Sequence, residues 1–389
     1  MKPAEGSPNP PALPDREVVM ISTKGRGVVI EPTFLLAVLF AIALLGSAPL
    51  PVLAQASGSW TSTGTLNVPR NGHTATLLPN GLVLSVGGMS SNGTILASAE
   101  LYDPATGKWT ITGEMAAART NHTATLLTDG EVLVAGGLGN VNPQSPCTAS
   151  AELYNPSTGE WRATGSMNTA RYWQGAALLL TGEVLVAGGD ICWGFSAGAS
   201  PGNTAELYDP SSGTWKGTGS MHNNRAAELT RLRDGQALVA DESAELYDPS
   251  TGQWTMTAGM YYTFGTSRLA TALLTNGDVL VYGNHFACYA SEFYNPTANT
   301  WSRTNGTCGT AVSYGPLTLL GTGKALLAGG FVIYSGKSFP SANSFLYDPS
   351  TNSWTGTGKL NQAGSHTLTR LSNGQVLAVG GADAELYTP

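Results

Sequence analysis

From Arg119 to Trp161 the chain reads as four short β patterns in succession. His122 to Leu127 alternates small or polar with apolar residues and runs into a turn at Asp129-Gly130. Glu131 to Ala135 is a nearly continuous apolar run stopped by Gly136-Gly137. Ser150 to Tyr154 ends on Asn155-Pro156, and a fourth pattern begins at Trp161. Asp-Gly between apolar runs is a strong hairpin signal, and Gly-Gly and Asn-Pro are turn punctuation. The stretch is one four-stranded antiparallel meander.

The unit recurs. Its second-strand pattern appears at Leu82–Gly88, Val132–Gly137, Val184–Gly189, Gln236–Ala240, Val279–Gly283, Ala325–Gly330 and Val376–Gly381. The third-strand tyrosine falls at Tyr102, Tyr154, Tyr208, Tyr247, Tyr294, Tyr347 and Tyr387. The tryptophan of the fourth strand falls at Trp60, Trp109, Trp161, Trp215, Trp254, Trp301 and Trp354. Four-stranded units repeating every 40–50 residues or so are propeller blades. The expected class is all-β: a seven-bladed propeller over residues 57–389. Ser57–Leu66 offers a Trp strand with nothing before it, and His366–Tyr387 offers three strands with no Trp after them. Seven blades result only if Trp60 completes the last one, a closure that removes two exposed sheet edges.

Gly-Gly, then Tyr-Asp-Pro, then Trp, then Met-x(3)-Arg resembles the kelch repeat, and with it the extracellular, galactose-oxidase-like kelch propellers. The resemblance runs from Trp60 onward and is specific for fold but weak for function. The copper oxidases of that group imply a Tyr cross-linked to Cys, a second Tyr, two His ligands and a domain beyond the propeller. No such set can be placed on residues of this chain. Gly-x-Ser-x-Gly, His-Glu-x-x-His and phosphate-loop patterns are also missing from the sequence.

Ahead of the repeats, residues 1–33 form a leader that is disordered or precedes the true start, for which Met20 is a candidate. Phe34 to Leu45 is an apolar run preceded by Lys24 and Arg26, and Ala54-Gln55-Ala56 is a small-x-small cleavage signal. Residues 34–56 therefore read as a secretory signal peptide or, alternatively, an uncleaved membrane anchor. Either places the propeller outside the cytoplasm, secreted, periplasmic or at the cell surface. The net charge of −7 lies beyond residue 56, because residues 1–56 carry four basic and four acidic side chains. An acidic chain without Lys/Arg clusters argues against a nucleic-acid partner. A monomer is expected.

A residue present in every unit serves packing first, so the seven Tyr and seven Trp are read as structural. Arg70, Arg119, Arg171 and Arg225 each follow a Met or Leu by four residues, and their expected role is to bond loop carbonyls between neighbouring blades. The Asp and Glu of the repeated Ala-Glu-Leu-Tyr-Asp-Pro segment are read as parts of a strand-end turn. His73, His122 and His366 each precede the turn glycine by eight residues, in consecutive units of a closed ring. Imidazole clusters bind metals, which makes this trio the candidate metal site. All three sit in one His-Thr pattern, so repeat inheritance is the preferred reading and no cofactor is expected.

Pattern breaks gather on one face, where second-to-third connections and the loops leading into each next blade emerge together. Insertions are long at Leu138–Thr148, Asp190–Thr204 and Phe331–Asn343, and they are rich in aromatic residues. Unit four has instead lost its glycine pair, and Ala240-Asp241-Glu242-Ser243 joins two strands directly. The expected site is a notch over unit four with Asp241 and Glu242 at its edge. Tyr172, Trp173, Trp193, Phe195, Tyr261, Tyr262 and Tyr289 supply its aromatic surroundings. Such a groove suits a neutral or cationic ligand, a glycan or a basic peptide. The expected function is a binding or scaffold module, with a carbohydrate-active or metal-dependent oxidase-like enzyme as the alternative. Cys147, Cys192, Cys288 and Cys308 are expected to pair as Cys147–Cys192 and Cys288–Cys308, pinning loops of this face in an oxidising compartment.

Overall fold

The computed structural model describes residues 58–139, 147–190, 201–222, 228–241, 243–262, 264, 269–285, 288–305, 315–334, 337–364 and 366–389. The expected leader (1–33) and the expected signal or anchor segment (34–56) lie outside them. Among the described residues no helix is long and apolar enough to cross a membrane; the one helical element is a three-residue turn at Pro201–Asn203.

Seven four-stranded antiparallel sheets form the propeller. The innermost strands begin at Thr74, Thr123, Gly175, Glu228, Ala270, Leu317 and Thr367, and each lies against the next until Thr367–Arg370 meets Thr74–Leu77 and closes the ring. Second strands such as Val83–Val86 and Val132–Ala135 are buried along their whole length because a blade lies on either side. The seventh blade is completed as its repeats require: Ser59–Ser62 pairs with Asp383–Thr388, with Trp60 opposite Tyr387.

The repeated aromatic residues lock blade to blade. Within each blade the Tyr and Trp stand opposite one another, ring centroids 5.0 to 5.3 Å apart and tilted. A tilted pair of that spacing contributes about 0.5–1.5 kcal/mol beyond its burial. The Trp tips reach into the preceding blade, as do the Tyr tips except those of Tyr294 and Tyr347, which donate to Asn299 and Asn352 of their own blades. Tyr154 shares a hydrogen bond with Thr112, and Trp161 donates to the Gly113 carbonyl. The same pair of links recurs for Tyr208 with Thr164 and for Trp215 with Gly165.

Arg70, Arg119 and Arg171 act inside a blade rather than between blades, and Arg225 lies outside the described residues. Arg119 donates to the carbonyls of Gly136 and Ser150 and forms a fully buried ion pair of 2.8 Å with Glu152 on its own third strand. Arg70 with Glu100 and Arg171 with Glu206 repeat this geometry. The glutamate of Ala-Glu-Leu-Tyr is therefore no turn residue. It also accepts the backbone N–H groups of the incoming loop, Asn67 and Val68 on Glu100 and Ala116 and Ala117 on Glu152. Side chains on a strand alternate between faces, so the same periodicity that packs Leu and Tyr turns this carboxylate toward the loop.

Two expected loops are strands. In blade six, Phe331–Tyr334 and Lys337–Pro340 form a two-stranded hairpin inside the expected insertion. In blade five the second and third strands lengthen to Val279–His285 and Cys288–Asn295, so Cys288 and Tyr289 lie on a strand extension. Runs of β-branched and aromatic residues favour pairing over irregular loop.

Candidate ligand site on the loop-rich face

The three histidines belong to the seams between blades. His122 Nε2 lies 3.0 Å from Thr74 Oγ1 of blade one, and His73 Nε2 lies 3.3 Å from Thr367 Oγ1 of blade seven. His366 Nδ1 is bonded to the Gly364 carbonyl at 2.8 Å. Two of the rings need a side-chain-free neighbour: a β-carbon on Gly87 would come within 2.7 Å of His122 Cε1, and one on Gly329 within 2.6 Å of His366 Nδ1. Gln174 fills the same place in blade three, packed against Gly136. Burial first, and the Arg70 charge second, lower the His73 pKa to about 3. Burial likewise lowers His122 and His366. Each imidazole is neutral, buried and bonded through one ring nitrogen, while Nδ1 of His73 and of His122 is buried without a partner; among the described residues no group of three or more His, Cys, Asp or Glu is placed to hold a metal ion.

One residue ahead of each seam side chain, the backbone of blades one to three turns left-handed: Gly72 at φ +63°, Asn121 at +54° and Trp173 at +56°. They form a chain around the inner rim, since Asn121 N–H donates to Gly72 O and Trp173 N–H donates to Asn121 O, both at 3.0 Å. Glycine takes this conformation freely and asparagine tolerates it, while a bulky side chain there stores about 1–3 kcal/mol. Trp173 is nonetheless 37% exposed, with its ring 5.0 Å from that of Tyr172. Tyr172 is bridged to Asp190 through the backbone, and burial, then the Asp190 charge, raise its phenol pKa. At the channel mouth the chain thus holds a large flat side chain outward, against its backbone preference.

A residue that sequence reasoning missed completes this region. Glu228 opens the inner strand of blade four, pairs with Ala240 and is exposed. Its counterparts Thr74, Thr123, Gly175, Ala270, Pro316 and Thr367 are all uncharged. That break in the repeat was the available signal. Asp241, half-buried, follows directly after the Ala240 rung, and its N–H is bonded to Ser243 O.

The other expected site residues divide. The N–H groups of Tyr261 and Tyr262 donate to Glu292 of blade five, and the Arg303 guanidinium lies 4.8 and 5.2 Å from their ring centroids. These two rings therefore already face a cation and belong to the outer part of blade five, whereas Trp173 belongs to the inner rim. Trp193, Phe195 and Glu242 lie outside the described residues, as does the side chain of Tyr289. Cys147 is buried and disulfide-bonded. Cys192, Cys308 and the side chain of Cys288 lie outside the described set, so both pairings stand as proposals.

Two comparisons bear on this geometry. The kelch motif matches residues 69–116 and 119–168. Among solved structures the chain is similar to a novel fungal alcohol oxidase of the AA5 family in complex with copper, at 17% identity and a TM-score of 0.66, over 85% of this chain and 76% of that one. At that identity the likeness speaks for the fold alone. No curated protein matches the chain in sequence.

Proposed function

We propose that this chain, which is a kelch-repeat β-propeller, is an exported binding module that takes a ligand at the channel mouth of its loop-rich face. The observation that carries the reading is Trp173: left-handed, more than a third exposed and flanked by Tyr172. Local strain at a bulky residue survives where the surrounding fold insists on it, and such positions cluster at ligand sites. An indole offers a flat apolar face and a polar edge, which suits sugar rings. The acidic chain leaves nucleic acid aside, and the N-terminal segment would supply export or membrane attachment to a monomer.

Trp173→Asn is the test, because asparagine is what blade two carries at the equivalent position. The variant should melt at or above the parent temperature while glycan binding, screened on an array of neutral and amine-bearing oligosaccharides, disappears. A variant that still binds the parent's ligands removes Trp173 from the site.

The second reading, a carbohydrate-active or copper-dependent oxidase-like enzyme, draws on the fold shared with the alcohol oxidase. Among the described residues no group of three or more His, Cys, Asp or Glu is placed to hold a metal ion; His73 and His122 each bond one ring nitrogen across a seam and keep a buried Nδ1 without a partner. No catalytic step is derived from the second reading.

A further inference from the structure

We propose that blade seven holds a slot for a guanidinium group, the arginine side chain of a bound polypeptide, formed by Glu385 and Asp383 and entered at Gly364. The slot stands apart from the Trp173 reading and does not depend on it.

Blades one to three fill this place from their own chain: Arg70, Arg119 and Arg171 lie on Glu100, Glu152 and Glu206 at 2.8 to 2.9 Å. Blade seven keeps the backbone of that arrangement and lacks the side chain. Gly364 N–H donates to Ser341 O and Gly364 O accepts from Gly330 N–H, as Arg119 N–H donates to Leu96 O and Arg119 O accepts from Gly88 N–H. Gly364 therefore holds the arginine's position. The carboxylate also keeps its loop donors: Asn361 and Gln362 N–H bond Glu385 as Ala116 and Ala117 N–H bond Glu152. Glu385 is 2% exposed, and among the described residues no Lys or Arg pairs with it. Other blades settle the matter differently. Blade five places Phe264, wholly buried beside Leu269 and Val281, four residues after Met260, and blade six has Phe345 on the rung of the glutamate.

Blade seven instead adds charge. Asp383 pairs with Gly380 and stands where Ser98, Ser150 and Thr204 stand in blades one to three. Those side chains accept from the arginines through a hydroxyl. Asp383 brings a carboxylate, two residues from Glu385 and so on the same face of the strand. The way in is open: a β-carbon on Gly364 would meet no non-neighbouring atom of the described residues within 4 Å, and Gly364 and Asp383 are both half-buried. The stem of an incoming arginine can pass where the sister blades carry their own. The acceptors decide the kind of cation. A carboxylate has about four acceptor sites, and Glu385 uses three, on the Asn361 N–H, the Asn361 amide and the Gln362 N–H. One site suffices for a guanidinium N–H, whereas a calcium ion takes about six or more oxygens. A lysine would bring a point charge without the planar fork. The net charge of −7 favours a basic partner.

Calorimetric titration of the full chain with a capped Gly-Arg-Gly peptide tests this, beside the same peptide with lysine or citrulline in place of arginine. The arginine peptide should bind, and the other two roughly tenfold or more weaker, the scale of one charge-assisted hydrogen bond. Asp383→Ser, which copies blade two, should weaken the arginine peptide about fivefold, because a hydroxyl is a poorer acceptor for a cation than a carboxylate. Replacing Ala363-Gly364-Ser365 by the blade-two sequence Ala-Arg-Thr-Asn seats an arginine from the chain itself, and should abolish peptide binding and raise the melting temperature. Asp383→Ser decides the matter if that graft does not fold. Failure of the parent chain to bind the arginine peptide overturns the slot, as does equal affinity for the lysine peptide. Binding that is indifferent to Asp383→Ser, or that survives in a folded graft, overturns it too. Calcium binding in the peptide's stead overturns it in favour of a metal site. Loss of the arginine peptide with Trp173→Asn moves that ligand to the channel mouth, which overturns the slot and leaves the binding module standing.

Discussion

Replacing Arg119 by Met tests whether the repeated arginine is scaffold. The guanidinium is wholly buried and donates to Gly136 O and Ser150 O at 2.9 Å, to Ser150 Oγ at 3.0 Å and to Glu152 at 2.8 Å. Not all of these acceptors would be stranded. Ser150 O keeps the Gly136 N–H, Ser150 Oγ keeps the Thr148 hydroxyl, and Glu152 keeps the N–H groups of Ala116 and Ala117. Gly136 O loses its donor outright, a cost of about 1–3 kcal/mol, and Glu152 loses its countercharge. Breaking a buried pair by removing one partner costs about 3–5 kcal/mol, and the donors left on Glu152 put this case at the low end. About 3 kcal/mol lowers the melting temperature by roughly 4 °C in a domain larger than 250 residues. Thermal and urea unfolding of Arg119→Met, Glu152→Gln and the double variant measure it. The double variant should lie closer to the single ones than their sum, because each single change already breaks the pair. A drop under about 2 °C for Arg119→Met, or strict additivity, would refute the scaffold reading.

The seam histidines make the ring acid-sensitive. The His73 pKa is about 3 in the fold and about 6.5 in the unfolded chain, so its stabilising share is complete above the unfolded value and fades as pH falls toward the folded one. The slope approaches about 1.4 kcal/mol per pH unit for each such group, and His73→Gln, copying Gln174, should flatten the stability profile between those limits. Deleting residues 58–66 should expose the edge strand Asp383–Thr388 and produce aggregates in light scattering that the parent does not form; a variant with the parent's light scattering and melting temperature would refute this prediction. Non-reducing peptide mapping should return Cys147–Cys192 and Cys288–Cys308, and crossed pairs would remove the proposed loop pins.

The architecture was legible because every blade repeats the same packing problem and solves it with the same Tyr and Trp. The closing strand was legible too, since Trp60 lacked strands before it and Tyr387 lacked a Trp after it. The arginine's partner was not. Spacing along the chain shows that Arg119 recurs, but it does not show that a residue 33 positions on, Glu152, turns back beneath it. The blade six insertion read as loop because its hairpin follows no repeat. At the site, reasoning from loop length led to Trp173 and Asp241 but passed over Glu228, which sits on a regular strand where length carries no signal. It also joined Tyr261 and Tyr262 to Trp173 by chain position alone, whereas Glu292 and Arg303 hold those two rings on blade five.

The pairing of Ser59–Ser62 with Asp383–Thr388 sets a clock on biosynthesis. At about 5–20 residues per second, the early strand leaves the ribosome tens of seconds before its partner exists. Through that interval Trp60 has no Tyr387 to pack against, and blade one stands beside an empty place in the ring. Whatever receives the nascent chain must keep its first β-segment from finding another strand until Asp383–Thr388 arrives.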